Sequence, residues 1–233
     1  NISSAVERAA AIAPTPEAMV DGDERWTYAE LDRRVRSFDG ALDGLGLAKG
    51  DVVGILSHNS RAHLVAWLGI PRSGRVLNEI NTRLSPTEVQ FIADDSSMRV
   101  LIVDDTFLEV GRQLVAQCES LEGLVYAGTG AVPEDCVSFD EMCTSDAEAA
   151  PVDDGGDDVA GVFYTGGTTG RAKGALLTHA NLVANAKHAL ITLKSRRRSV
   201  HGRPDLGGRD ARHRAGLHAA VVARGRESRA DHP

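Results

Sequence analysis

Alternation constrains the fold of this chain more than any other feature. Four short apolar runs, at residues 52–56, 76–80, 99–103 and 123–126, are separated by segments with helical spacing. The runs are too short for helices and rich in Val and Ile, so they read as buried strands. Between the first two, Asn59 or Ser60 caps a helix through Leu64, Trp67 and Leu68. After the second, Ser85-Pro86-Thr87-Glu88 sets a hydroxyl three residues ahead of a carboxylate, with proline in the first turn. The helix it opens carries Val89, Ile92 and Ala93, and a further helix spans 106–118. Strand and helix in strict turn predict an α/β fold of layered, largely parallel sheets flanked by helices.

The flanks extend the pattern. A lead helix covers 4–12, and a turn at 14–16 precedes a short strand at 18–20. Thr27-Tyr28-Ala29-Glu30 is another capping box. Behind it, Leu31, Val35, Phe38, Leu42 and Leu45 form an apolar helix face, with Asp32, Arg33, Arg34 and Arg36 expected in water. Residues 129–158 are polar and glycine-rich, with carboxylates at Asp146, Glu148, Asp153, Asp154, Asp157 and Asp158. No spacing among them fixes a coordination geometry, so they read as a solvated connector and no metal ligand is assigned. A strand at 159–164 leads into a glycine loop, a strand at 173–177 leaves it, and Thr178-His179 opens a last helix.

That loop, Tyr164–Gly174, reads YTGGTTGRAKG. Gly166, Gly167 and Gly170 allow the backbone to approach a ligand closely, and successive amides in such a turn can converge on an anion. Thr165, Thr168 and Thr169 add hydroxyl donors; Arg171 and Lys173 add positive charge. The combination suits a polyphosphate better than it suits a plain hairpin. It is not the ordinary P-loop, because Arg171 and Ala172 separate Gly170 from Lys173. Nor does it have the G-x-G-x-x-G spacing of dinucleotide-binding proteins.

The run resembles the phosphate-binding motif of the AMP-forming adenylating enzymes, roughly aromatic-T-S-G-T-T-G-x-P-K-G. This chain has Gly166 where serine is usual and Ala172 where proline is usual. The likeness to the acyl-CoA synthetase branch continues through Trp26-Thr27-Tyr28-Ala29-Glu30-Leu31, Gly50-Asp51-Val52-Val53, Asn59-Ser60, Asn81-Thr82-Arg83-Leu84 and Leu177-Thr178-His179-Ala180-Asn181-Leu182. It spans residues 3–192, so 1–193 resembles part of the family's N-terminal domain. The resemblance implies an acid–CoA ligase that uses ATP, Mg²⁺ and coenzyme A on a carboxylic acid, here a fatty acid, through an acyl-adenylate. It places Thr165, Thr168, Thr169 and Lys173 on the phosphates by their side chains, and Gly166, Gly167 and Gly170 by their backbone. The lysine of the adenylation step lies in a C-terminal domain of the family; Lys173 is not that residue, and no catalytic residue is assigned here. A chain with only this N-terminal part leaves two readings open, a ligase or a non-catalytic remnant with weak nucleotide binding. The peptide-synthetase adenylation class shares the loop.

Charge divides the chain. Residues 194–233 hold eleven Lys and Arg against four acids, whereas 1–193 hold fifteen against twenty-nine. The tail contains no Ile, Phe, Trp or Tyr. It is expected to be disordered, and the sudden change of composition points to translation in a shifted reading frame. Without interleaved aromatics, Arg196-Arg197-Arg198 is not read as a nucleic-acid site. Cys118, Cys136 and Cys143 lack CxxC spacing and are expected as free thiols in the cytoplasm. No apolar run nears the ~18 residues of a membrane span, and the first residues lack secretory-signal organisation. His179 is read as a packing or capping residue, Asp104-Asp105 as an exposed turn, and His58 and His63 receive no role.

Overall fold

The computed structural model describes residues 1–147, 155–166 and 171–192, with side chains described to residue 189. Helix α1, Ser4–Ile12, precedes an antiparallel hairpin of β1, Glu17–Asp21, and β2, Glu24–Thr27. Strand β2 escapes sequence reading because only Trp26 of its four residues is buried, too little for a period. Thr27 ends β2 and caps α2, Tyr28–Gly44: its hydroxyl accepts from the Glu30 N–H at 3.3 Å, and the Glu30 carboxylate accepts from the Thr27 N–H at 2.7 Å. The expectation of a wholly solvated polar face on α2 needs correction. Asp32 is buried and pairs with Arg36 at 2.8 Å, while the Arg34 guanidinium lies 4.3 Å from the centre of the Trp26 ring.

The remainder alternates as expected. It runs β3 (Val52–Leu56), α3 (Arg61–Gly69), a 3-10 turn (Ile70–Ser73), β4 (Val76–Glu79), α4 (Pro86–Asp95), β5 (Met98–Val103), α5 (Leu108–Gln117) and β6 (Gly123–Tyr126). Then come β7 (Cys136–Ser138), α6 (Phe139–Thr144), β8 (Val159–Thr165), β9 (Lys173–Thr178) and α7 (His179–Thr192). Neither Asn59 nor Ser60 caps α3 with its side chain; Asp21, from the hairpin, accepts from the Arg61 N–H at 2.8 Å instead.

Among the described residues seven strands form one sheet in the order β7-β6-β5-β3-β4-β8-β9, parallel throughout except for the last pair. Its central strands β3, β4 and β5 are buried on both sides because both faces are covered there. Val53, Ile55, Val100 and Ile102 point into one core with α2, α3 and α6. Leu56, Leu101 and Val103 point into the other, with residues of α4 and α5. Alternation along β3 and β5 thus splits each strand between two cores.

Within 129–158 the structure corrects the connector reading. Strand β7 pairs with β6, and α6 buries Phe139, Met142 and Cys143, with the Phe139 and Phe38 rings 4.9 Å apart. Ser138 caps α6 by accepting from the Glu141 N–H at 3.2 Å. The Ser-x-x-Glu pattern and the apolar i, i+3, i+4 spacing were the available signals. Nine residues of local order inside a polar stretch were too few to stand out. All three cysteines are free. Among the described residues no helix is long and apolar enough to cross a membrane.

Candidate functional site

Strands β3, β4, β5 and β8 run in one direction, so their carboxyl ends share an edge. The connection from β3 leads to β4 on one side, and that from β5 leads to β6 on the other. Connections that diverge leave a crevice at the carboxyl ends, where open α/β sheets bind ligands. Ser57 and His58 follow β3 at this edge, Glu79 ends β4, and Asp104 follows β5. The Asp104 carboxylate bridges the crevice, accepting from the His58 N–H and lying on its Nδ1, both at 2.8 Å. From α3, His63 places Nδ1 3.3 Å from the Ser57 hydroxyl and Nε2 3.1 Å from the Glu79 carboxylate.

Sequence reasoning missed both histidine pairs, and it read Asp104 as exposed. The partners lie 46 and 16 residues apart, and only the parallel crossovers bring them together. No local pattern signals this. The neighbouring Asp105 accepts from the Tyr126 phenol and from the Thr129 N–H, which hold its carboxyl below the usual range. His179 is buried, and its Nδ1 accepts from the Ile2 N–H at 3.1 Å, as expected of a packing residue.

The glycine loop opens at this same edge. Strand β8 pairs with β4 through Leu77 and Gly161. A Cβ on Gly161 would lie 2.9 Å from the Leu77 carbonyl oxygen, so only glycine lets the two strands close. On its other side β8 pairs with β9, and the final pair of the ladder is Thr165 with Lys173. A hydroxyl and an ammonium therefore stand side by side at the loop end of the hairpin, both exposed, with exposed Gly166 next. Among the described residues no carboxylate pairs with Lys173. A Cβ on Gly166 would meet nothing, so its freedom here is conformational rather than steric. Gly167, Thr168, Thr169 and Gly170 lie outside the described residues.

Two contacts tie the loop's ends to α4. The Tyr164 phenol donates to the Asp95 carboxylate at 2.6 Å. Burial, followed by that bond, pushes its acidity well below that of a free tyrosine. The Arg171 guanidinium lies 5.4 Å from the centre of the Phe91 ring. The Thr165 hydroxyl and the Lys173 ammonium, paired beside a glycine-rich turn, are groups able to donate to the oxygens of a phosphate chain.

A family model described as AMP-binding enzyme matches residues 6–204. The chain belongs to the AMP-binding enzyme family. The match runs past Leu193, where the sequence likeness was expected to stop. Similar to this chain is a long-chain-fatty-acid–CoA ligase of Thermus thermophilus, 32% identical over 82% of the chain and 36% of the relative. Another is the long-chain-fatty-acid–CoA ligase FadD13 of Mycobacterium tuberculosis, 33% identical over 85% of the chain and 39% of the relative. Among solved structures, the anthranilate CoA ligase AuaEII in complex with anthranoyl-AMP superposes with a TM-score of 0.76 at 28% identity, covering 80% of this chain and 36% of that one. The chain spans less than two fifths of these relatives' lengths. Its fold is that of the N-terminal domain of adenylate-forming enzymes, as in the N-terminal domain of FACL13 from Mycobacterium tuberculosis, with a TM-score of 0.71.

Proposed function

We propose that the chain carries the ATP-phosphate site of an acid–CoA ligase, and that its loop holds the β- and γ-phosphates of MgATP. The observation that supports this most is the pairing of Thr165 with Lys173 at the end of β8 and β9, in a chain of the AMP-binding family. Thr165, Thr168 and Thr169 donate from their hydroxyls, Lys173 supplies charge, and Gly166, Gly167 and Gly170 bring main-chain amides close. Mg²⁺, when bound to the phosphates, offsets part of their charge.

In the reaction this site serves, a substrate carboxylate oxygen attacks the α-phosphorus of ATP. The bond from that phosphorus to the bridging oxygen breaks, and pyrophosphate leaves with the electron pair. The thiolate of coenzyme A then attacks the acyl carbonyl carbon, and AMP departs. Donors already aimed at the β- and γ-oxygens stabilise charge that grows on pyrophosphate as it leaves, without reorganisation during the step. Holding the phosphates also aligns the leaving group opposite the attacking oxygen. Two relatives are named for long-chain fatty acids, which supports a fatty acid as substrate. The three free thiols suit a reducing compartment, and we place the protein in the cytoplasm on that ground.

Calorimetric titration of the 233-residue chain with MgATP tests the site. Binding should be measurable and should be lost in the triple variant Thr168→Ala, Thr169→Ala, Lys173→Ala. Absent binding, or binding indifferent to the triple change, would overturn the reading. Pyrophosphate release with coenzyme A and a panel of fatty and aromatic acids then tells turnover from binding alone.

A further inference from the structure

A glycine-rich loop is expensive to order, because glycine loses more backbone freedom on fixing than any other residue. A loop that grips phosphates therefore needs its two ends held, or binding carries the whole ordering cost. Both ends meet one helix here. Tyr164, at the end of β8, bonds to Asp95, the last residue of α4. Arg171, where the described chain resumes, stacks over Phe91, one turn earlier on α4. Positions four apart share a helix face, so a single face of α4 meets both flanks of the loop.

The helix is itself well anchored. Ser85 and Glu88 form the reciprocal cap at its start, and Val89, Ile92 and Ala93 are buried in the second core. Beside the Arg171–Phe91 contact lies an open cleft lined by Thr87, Gln90, Phe91, Asp94, Asp95 and Arg171. Phe91 and Tyr164 also pack against that core, so both contacts are made from half-buried side chains.

Resting on the phosphate reading above, we propose that α4 is a brace for the loop, and that Asp95 and Phe91 are positioning residues for MgATP. They act through Tyr164 and Arg171 and do not touch the nucleotide. One consequence separates this from simple electrostatics. Asp95 brings negative charge toward a site for an anion. On charge alone its removal strengthens phosphate binding; as a brace its removal weakens it.

The test is MgATP affinity of the 233-residue chain by calorimetry, with thermal melts to verify folding. Tyr164→Phe, which deletes one oxygen, and Asp95→Ala should each weaken MgATP roughly five- to tenfold, the scale of one ordinary net hydrogen bond. The double variant should be no weaker than about the poorer single, since both remove the same bond. Phe91→Ala should give a smaller loss. Magnesium tripolyphosphate, which lacks the nucleoside, should show the same order of effects. Unchanged affinity in a folded Tyr164→Phe, or tighter binding in Asp95→Ala, overturns the brace. If the wild type binds and Lys173→Ala abolishes it while the brace variants bind normally, only the brace falls. If the wild type shows no binding sensitive to Lys173, the phosphate reading falls and the brace with it.

Discussion

Asp39 of α2 lies between two guanidiniums, wholly out of water. Arg72 Nη1 meets one carboxylate oxygen at 2.8 Å, Arg75 Nη1 meets the other at 3.2 Å, and the Ser73 hydroxyl donates as well. Arg72 also reaches Glu7 at 3.0 Å, and Arg75 donates to the Leu47 carbonyl at 2.6 Å. Asp39→Ala would leave two buried cations short of an acceptor. A loss of about 3–5 kcal/mol is expected, read from urea unfolding. Exposed carboxylates behave differently. The Thr27 N–H and hydroxyl lower Glu30, those of Ser85 lower Glu88, and Arg112 holds Asp135 at about 2. Their folded-state values lie below the unfolded ones, so their stabilising contribution is complete above the unfolded range and vanishes as pH falls through the folded values. The melting temperature should accordingly decline from about pH 5 toward about pH 2, and Glu88→Gln should flatten part of that decline. A melting temperature independent of pH across this window would count against the caps.

Among the elements, α4 rests on its cap and β8 on its glycine. Ser85→Ala removes the acceptor for the Glu88 N–H and should cost about 1 kcal/mol in thermal unfolding. Gly161→Ala places a methyl group 2.9 Å from the Leu77 carbonyl oxygen and 2.8 Å from the Phe163 ring. Strand β8 must then move off β4, at an expected cost of about 1–3 kcal/mol. Because β8 carries Thr165 and Tyr164, MgATP affinity should fall along with stability. The capping boxes of α2 and α4 were readable because their hydrogen bonds join residues three apart. The cap of α3 was not, since its acceptor, Asp21, stands forty residues upstream.

At the scale of the molecule, β9 is a sheet edge among the described residues, and Leu176 on it is 63% exposed. An edge with free main-chain groups and an exposed leucine favours strand-to-strand association. We expect the chain to self-associate on sedimentation as concentration rises, and Leu176→Lys to suppress it. A wild type that stays monomeric throughout would refute this. The basic run beyond Lys194 yields a prediction about the gene. If the reading frame shifts there, an alternative frame downstream of the codon for Leu193 restores family sequence; if no frame does, the tail is native. Sequencing the codons for residues 190–198 checks it.

By itself the sequence determined the alternating α/β order, the two capping boxes, the glycine loop between two strands and the family. Each depends on contacts within a few residues or on a repeating apolar period, and both are written locally. Tertiary structure alone decided that His58 meets Asp104, that His63 meets Glu79, that Asp39 gathers two arginines, and that α4 reaches both ends of the loop. Those pairs join groups set far apart along the chain, and the order in which parallel strands cross over, not any local pattern, brings them within bonding distance.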